Sequence, residues 1–255
     1  MLHNLKTHQF LLEELVKRDF ITKYKRTVLG MAWSVLSPLL TLLIMRLVFT
    51  NFFGGSTPHY TTYLFCGNLI FAFFNEATTQ GMGSLLNNAH IFTKVNVPKY
   101  LFLLARNVQC LINFGLTFSV FLLFCLLDHI TFTWRMIFLL YAIVFLLLLN
   151  LGVGLVLSAL NVFFRDMQYL WSVFIQLLMY VSAIFYTVDG FSPLIQRMFL
   201  ANPVYLFIRY FRLIVIDASV PSLQYHLLMA GEALLVFAIG CWFYKRYNHE
   251  FLYYV

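Results

Sequence analysis

Long apolar runs, separated by short polar or basic segments, dominate this chain. A transmembrane helix needs about 20 predominantly apolar residues to cross about 30 Å of hydrocarbon. Six stretches meet that requirement, and we predict that each forms a spanning helix. They are residues 29–53, 60–82, 100–127, 134–164, 169–188 and 223–244. The pattern therefore predicts an all-α polytopic membrane protein with six transmembrane helices.

A further apolar stretch, residues 191–216, differs from these six because Pro193 and Pro203 interrupt it. It also carries polar or charged side chains, at Gln196, Arg197, Asn202, Arg209 and Arg212. Irregular backbone at membrane depth is tolerated only where protein or a water-filled cavity surrounds it. We therefore predict short re-entrant helices between helices five and six, within an outer region of residues 189–222.

The distribution of Lys and Arg predicts the orientation, since cytoplasmic loops carry the excess of both. With six spans and a cytoplasmic N-terminus, the cytoplasmic side holds Lys6, Lys17, Arg18, Lys23, Lys25, Arg26, Lys94, Lys99, Arg106, Arg165, Lys245 and Arg246. The outer side holds Arg135, Arg197, Arg209 and Arg212. A seventh crossing would move Lys245 and Arg246 outside, so six spans with both termini in the cytoplasm fit better.

Residues 8–28, before the first span, have the pattern of an amphipathic helix lying in the membrane interface. Its apolar face carries Leu12, Leu15, Val16 and Phe20. Its polar face carries Glu13, Glu14, Lys17 and Arg18. Asp19 lies within the apolar arc and weakens the pattern slightly.

Composition excludes a soluble domain. Apolar residues make up 62% of the 255 residues and charged residues 11%, whereas soluble domains average about 45–50% and about 25%. The first 28 residues mix basic and acidic side chains, which is not the pattern of a signal peptide. We expect a single transmembrane domain over residues 1–255.

The motifs of common catalytic and metal sites are missing from the sequence. It contains no P-loop pattern, so any ATP and Mg²⁺ are expected on a separate partner. The cysteines lie inside apolar stretches without metal spacing, and the histidines are scattered. We expect no catalytic, cofactor or metal site on this chain.

Three ionisable side chains, Arg46, Glu76 and Glu232, lie inside predicted spans. Charges at that depth are costly and usually face a bundle interior or a wet cavity. Arg46 and Glu232 lie at similar depths and are expected to pair, either as a structural ion pair or in the lining of a conduit. Glu76 lies nearer the cytoplasmic end, where contact with the interface helix or a basic loop is expected.

The cytoplasmic loop 84–99, "SLLNNAHIFTKVNVPK", allows two interpretations. It is either an ordinary positive-inside loop or a short helix that docks into a cytoplasmic partner. The abundant Phe side chains are also ambiguous, because they suit both lipid-facing positions and the lining of a path for sugars. Phe71, Phe73, Phe74, Phe114, Phe118 and Phe121 are the candidates for such a path.

The stretch "KYKRTVLGMAWSVLSPL", residues 23–39, resembles the opening signature of polysaccharide-export permeases of the ABC transporter superfamily. The likeness continues through "IFTKVNVPK", "NVFFRDMQYL" and "NPVYLFIRYFR" in the same order as in that family. "SAIFY" is similar to a segment that usually reads S-P-[IV]-F-Y, but Ala183 replaces the proline. That departure bears on the helix break at the outer end of span five.

The resemblance implies a permease domain that acts as a transport subunit rather than an enzyme. It implies export of an undecaprenyl-linked glycan (O-antigen, teichoic acid or capsule) through the bacterial cytoplasmic, or inner, membrane. It implies as partners a second copy of the chain, two ATP-binding-cassette subunits and membrane lipid; no nucleic acid is expected.

The resemblance and the charge pattern together nominate three groups of side chains. Residues expected at a lipid-pyrophosphate entrance are Lys23, Lys25, Arg26 and Arg165. Residues expected to couple to the ATPase are Asn88, Ile91, Phe92, Lys94 and Lys99. Residues expected to line the channel or its outer gate are Arg46, Phe71, Phe74, Glu76, Tyr186, Arg209, Arg212 and Glu232.

Other interpretations of these groups stay open. The basic residues near the first span also suit topology and headgroup binding, and Arg209 and Arg212 also suit interfacial anchors. A permease exporting a small molecule or drug, a membrane enzyme acting on lipid-linked sugars, and a passive channel are the alternative functions.

Overall fold

The computed structural model describes residues 9–25, 29–53 and 58–254, and all regular secondary structure within those ranges is helical. In chain order the helices are α1 Gln9–Tyr24, α2 Trp33–Phe53, α3 Tyr60–Met82, α4 Ala89–Phe92, α5 Tyr100–Leu127, α6 Phe138–Phe163, α7 Met167–Val181, α8 Pro193–Leu200, α9 Pro203–Val215 and α10 Leu223–Tyr247. Short 3-10 turns lie at Gly30–Ala32, Leu86–Asn88, Trp134–Ile137 and Glu250–Leu252.

Four helices of the described chain are long and apolar enough to cross a membrane. They are α2, α5, α6 with its preceding turn, and α10. Helices α8 and α9 meet at 103° and add a fifth crossing if they form one broken span. The predicted break at Pro203 is therefore present, because proline fits the first turn of a helix and not its interior.

Helix α3 begins and ends at the predicted residues, but Asn68, Asn75 and Glu76 make it less apolar than a lipid-facing span. It is buried along most of its length and packs against α2, α5, α6, α7 and α9. Because protein surrounds it, its polar side chains find partners that lipid does not offer. Helix α7 ends at Val181, earlier than the predicted residue 188. Its 15 residues are too few for a straight membrane-spanning helix.

Helix α1 packs at one end of the bundle, with Leu15 buried in a core that also contains Phe92 and Phe251. Asp19, which the sequence placed awkwardly in the apolar arc, is itself buried and forms an ion pair with Arg106 Nε of α5 at 3.2 Å. The awkward position is thus explained by a partner on another helix. We call this end, which carries α1, residues 83–99 and the last turn of α10, the basic end.

Helices α6 and α10 approach each other closely at two glycines. A Cβ atom at Gly152 would lie 2.7 Å from the backbone nitrogen of Phe237. A Cβ atom at Gly240 would overlap the Gly152 carbonyl oxygen. Small residues at such a crossing let two backbones approach, which strengthens the van der Waals packing that holds membrane helices together.

The expected pairing of Arg46 with Glu232 is wrong. No ion pair joins them within residues 9–25, 29–53 and 58–254. Arg46 is exposed on α2, which packs against α3 and α5. Glu232 belongs to α10, which packs against α6 and α9. Similar depth in the membrane did not imply proximity, because the two helices contact different neighbours.

Candidate functional site

A polar cavity of about 460 Å³ lies between the end of α1 and helices α2, α3 and α5. Its walls combine amide, hydroxyl, charged and aromatic side chains. They are Lys23, Trp33, Ser34, Ser37, Pro38, Asn68, Leu69, Ala72, Phe73, Asn75, Glu76, Asn113, Phe114 and Thr117. We call it the polar cavity. Polar side chains at these positions in long apolar helices are costly unless they have partners or a function.

Glu76 is at the centre of a hydrogen-bonded group in this cavity. Its Oε1 accepts from Lys23 Nζ at 2.6 Å, from Asn113 Nδ2 at 3.0 Å and from Gln80 Nε2 at 3.1 Å. The ion pair joins the interface helix α1 to α3, which confirms the predicted contact of Glu76 with the interface helix. A charge that bridges two elements in this way fixes the cavity mouth.

Pro38 shapes the opposite wall of the polar cavity. Proline has no backbone N–H, so it leaves the carbonyl oxygen of the residue four positions earlier without its helical donor. That carbonyl belongs to Ser34, and Thr117 Oγ1 of α5 donates to it at 3.4 Å. The hydrogen bond that Pro38 cannot donate within α2 is therefore replaced by one from α5, which attaches α2 to α5.

The aromatic rings of the cavity are close enough to form an apolar strip. The Phe73 and Phe114 ring centroids lie 4.7 Å apart, and Trp33 is partly exposed beside them. Sugar rings offer hydroxyl groups at their rims and C–H surfaces on their faces. Amides and hydroxyls that hydrogen-bond the rims, together with rings that contact the faces, suit a carbohydrate.

A second cavity of about 270 Å³ lies next to the polar cavity, on the side of the basic end. Both cavities are lined by Lys23. The second also contains Asp19, Arg106, Gln80 and Gln109. Lys23 therefore lies between the charged second cavity and the polar cavity, where it can meet an anionic group.

The residues predicted at the pyrophosphate entrance are not all brought together. Lys23 is engaged with Glu76, and Lys25 is exposed in the turn after α1. Arg165 is exposed in the turn between α6 and α7. Arg26 lies outside the described residues. The entrance as a whole stays a prediction, for which the structure supplies the position of Lys23.

The loop 84–99 folds as the short helix α4 preceded by a 3-10 turn, so its local structure is helical as one of the two interpretations expects. Asn88 is buried; it accepts from Arg18 Nη2 at 2.8 Å and donates to the Ser84 carbonyl at 2.8 Å. Phe92 is buried and Ile91 packs beside the same core. These three side chains hold the loop to the bundle.

The exposed face of the loop lies elsewhere. Its side chains are Asn87, His90, Thr93, Lys94, Val95 and Asn96. Lys94 is thus the predicted coupling residue with the most open position, whereas Lys99 is half-buried and donates to the Asn248 carbonyl at 2.7 Å. The spacing of three residues from Asn87 to His90 to Thr93 was the helical signal for this face.

The predicted channel residues occupy varied positions. Phe71 and Phe74 are buried within the chain, and Phe74 lies 6.3 Å from the Trp171 ring of α7. Tyr186 donates from its hydroxyl to the Tyr180 carbonyl at 2.8 Å. Glu232 has a buried oxygen without a hydrogen-bond partner among the described residues. A channel role for these side chains stays a prediction.

Arg212 and Arg209 lie together at the end of the bundle opposite the basic end. Arg212 is buried and donates from Nη1 to the Ala183 carbonyl and from Nη2 to the Ile184 carbonyl, both at 2.9 Å. Its guanidinium also lies 3.4 Å from the Tyr63 ring centroid. Arg209 faces the Tyr225 ring at 5.6 Å. Arg212 thus holds the break after α7, and a gate role for both arginines stays a prediction.

Several residues of the polar cavity were missed by sequence reasoning. Asn68, Asn113 and Thr117 were not nominated, although each is a polar side chain within an apolar run. Asn113 and Thr117 are four residues apart, which places them on one face of a helix. That spacing was the available signal; their convergence with Glu76 depends on how three helices pack.

Comparison with known proteins identifies a matching family and several similar proteins. A family model described as ABC-2 type transporter matches residues 11–216. The chain is 25% identical over 243 residues to the O-antigen export system permease protein RfbA of Klebsiella pneumoniae, covering 94% of this chain and 93% of that protein. It is 22% identical over 253 residues to RfbA of Myxococcus xanthus, covering 98% and 97%. It is 23% identical over 235 residues to the capsule polysaccharide export inner-membrane protein CtrC of Neisseria meningitidis serogroup B, covering 89% and 87%.

Proposed function

Because the chain belongs to the ABC-2 type transporter family, we propose that it is the permease subunit of an ATP-driven polysaccharide exporter. The relatives named for O-antigen and capsule export span nearly the same length. The cargo we propose is an undecaprenyl-linked polysaccharide of the O-antigen, capsule or teichoic acid type. ATP is handled by a separate ATPase subunit, as is general for permeases of this family.

The observation that carries the cargo assignment is the polar cavity. A site for an apolar drug needs only a small number of polar groups in its lining. This cavity instead presents Asn68, Asn75 and Asn113 beside the Phe73 and Phe114 rings. Such a lining supports passage of a sugar polymer, which slides along many weak contacts.

Lys23 supports loading of a lipid pyrophosphate at the basic end. It reaches the polar cavity from α1, the helix that we propose lies in the membrane interface. An incoming pyrophosphate competes with Glu76 for the Lys23 ammonium, since both are anionic oxygen acceptors. Exchange of that ion pair would free α1 from α3 and open the cavity mouth. Lys25, exposed in the next turn, provides a second cation.

We further propose six membrane crossings with both termini in the cytoplasm. Helices α3 and α7 supply the two crossings that hydropathy and length alone leave out. Helix α3 has 23 residues, enough for about 34 Å at 1.5 Å per residue. Helices α8 and α9, bent at 103°, then form the re-entrant pair on the outer side.

A second copy of the chain is the partner we propose for α2 and α7. Both helices expose apolar side chains, including Leu43, Leu47, Val173 and Leu177. Arg46 is exposed within the apolar surface of α2. A charge facing hydrocarbon is costly, which supports a surface covered by protein around a shared channel.

The loop 84–99 is the contact that we propose for the ATPase. Its exposed side chains lie at the basic end, where Arg18 ties it to α1 and Lys99 ties it to the end of α10. A push on α4 is therefore passed to both the interface helix and the last span. This arrangement supports transmission of ATP-driven motion to the cavity mouth.

The test is polymer export in cells whose own copy is deleted and replaced by variants. We expect Asn113→Ala to reduce surface polysaccharide about tenfold, since it removes a hydrogen bond to a charged group and a wall of the cavity. Ser119→Ala, on the exposed side of the same helix, is the control and should export normally. Normal export by Asn113→Ala, with equal protein levels, would contradict the proposed path.

A further inference from the structure

Another large cavity lies apart from the polar cavity, between the loop after α4 and the end of α10. Its volume is about 750 Å³. The side chains that give it its character are Lys99, Tyr100, Tyr244, Lys245, His249 and Leu155. The proposed sugar path does not pass through this cavity, so we expect a different molecule to occupy it.

Positive charge dominates the polar part of this cavity. Lys99 and Lys245 both line it, and no carboxylate is among the described residues of its wall. Lys99 Nζ donates to the Asn248 carbonyl and lies between the rings of Phe92 and Phe251, at 5.8 and 5.7 Å from their centroids. Burial lowers the pKa of Lys99, so an anionic neighbour would stabilise its charged form.

Two tyrosine hydroxyls in the wall lack partners. Within the described part of the chain, neither Tyr244 Oη nor Tyr100 Oη has a hydrogen bond. Tyr244 is only 7% exposed, so water does not readily satisfy it. A buried hydroxyl without a partner is costly, and buried polar groups are rarely left in that state. Both hydroxyl oxygens are themselves buried, so an occupant of the cavity contacts the tyrosine rings and not these oxygens.

The remaining wall is apolar and close to the membrane. Leu155 of α6 and Cys241 of α10 belong to spanning helices. Ile239 and Trp242, on the same stretch of α10, are largely exposed as lipid-facing side chains are. Tryptophan is enriched at the level of the headgroups. The cavity therefore combines two lysines with an apolar floor at the membrane surface.

We propose that this cavity binds the phosphate headgroup of an anionic membrane phospholipid in the cytoplasmic leaflet. Lys245 and Lys99 contact the phosphate, and the upper acyl chain covers Leu155 and Cys241. Basic pockets between spanning helices on the cytoplasmic side have the properties that such headgroups require. The lipid joins the coupling loop to the last span and so stabilises the contact through which ATP-driven motion passes.

The test uses the exporter purified with its ATPase in detergent and titrated with phosphatidylglycerol or phosphatidylcholine, with bound lipid counted by native mass spectrometry. We expect wild-type protein to retain phosphatidylglycerol preferentially. Lys245→Gln should weaken its binding about fivefold. Arg246→Gln, the same loss of charge one residue beyond the cavity wall, should change it less than about twofold.

Three results would overturn the proposal. Equal retention of the two lipids would exclude a headgroup site. Equal weakening by Arg246→Gln and Lys245→Gln would reduce the effect to general surface charge. Displacement of phosphatidylglycerol by glycerol 3-phosphate or inorganic phosphate at matched concentration would assign the cavity to a free phosphate instead of a lipid. Persistence of the lipid against both soluble anions supports the lipid site.

Discussion

Replacing Gly240 with alanine probes the close contact between α6 and α10. The new Cβ atom would overlap the Gly152 carbonyl oxygen and lie 3.0 Å from the Gly152 Cα. These are backbone atoms, which cannot move aside by a rotamer change. The substitution therefore forces α6 and α10 apart along their contact.

The magnitude follows from a matched control on the same helix. Gly231 has no atom within 4 Å of its hypothetical Cβ, so Gly231→Ala adds a methyl group in open space. Both changes gain the same helix propensity, at most about 1 kcal/mol. Overpacking costs about 1–3 kcal/mol and applies to Gly240→Ala alone. The free energies of unfolding of the two variants should differ by about 1–3 kcal/mol.

Thermal unfolding of the purified protein in detergent measures this difference. For a chain of this size, 1 kcal/mol corresponds to about 2–4 °C in the melting temperature. Gly231→Ala should melt at or slightly above the wild-type temperature, and Gly240→Ala several degrees below Gly231→Ala. Identical melting temperatures for the two variants would refute the close approach of α6 and α10.

Three further changes test other parts of the structure. Asp19→Asn leaves the Arg106 guanidinium without its buried counter-charge and should lower stability by about 1–3 kcal/mol in the same melting assay; Glu14→Gln, on the exposed side of α1, should change it by less than about 0.5 kcal/mol. Ala183 has a φ of 48°, so Ala183→Gly should raise stability by about 1 kcal/mol, and a lower melting temperature would contradict the left-handed backbone there. Val95→Asp, on the exposed face of the coupling loop, should weaken co-purification of the ATPase about tenfold through loss of an apolar contact; undiminished co-purification would argue against that face as the docking surface.

The helices that sequence predicted best are those bounded by clear local signals. Helices α3 and α5 begin and end at the predicted residues because their apolar runs stop at polar residues or Pro98. The break at Pro203 was equally predictable from sequence, since proline cannot continue a helix from the preceding turn. These features depend on neighbours within the chain.

Features set by distant partners were harder to predict. Asp19 reads as a flaw in an amphipathic helix until Arg106 is placed beside it, 87 positions later in the chain. Arg46 and Glu232 suggested a pair by depth alone, but α2 and α10 pack against different helices. The polar cavity likewise requires α1, α2, α3 and α5 to converge on Glu76. Hydropathy gives the depth of a residue and leaves its neighbours undetermined.

We propose that this chain moves a lipid-linked polysaccharide with energy supplied by a partner ATPase. Proteoliposomes containing the chain and that ATPase, loaded with undecaprenyl pyrophosphate-linked glycan on the ATPase side, test it directly. A glycan-cleaving enzyme on the opposite side reports each polymer that arrives. We predict arrival that requires ATP and both proteins, and that falls about tenfold in Asn113→Ala. ATP hydrolysis without any polymer arriving, especially with accumulation of a small drug-like solute instead, would mean that this chain does not transport the polysaccharide.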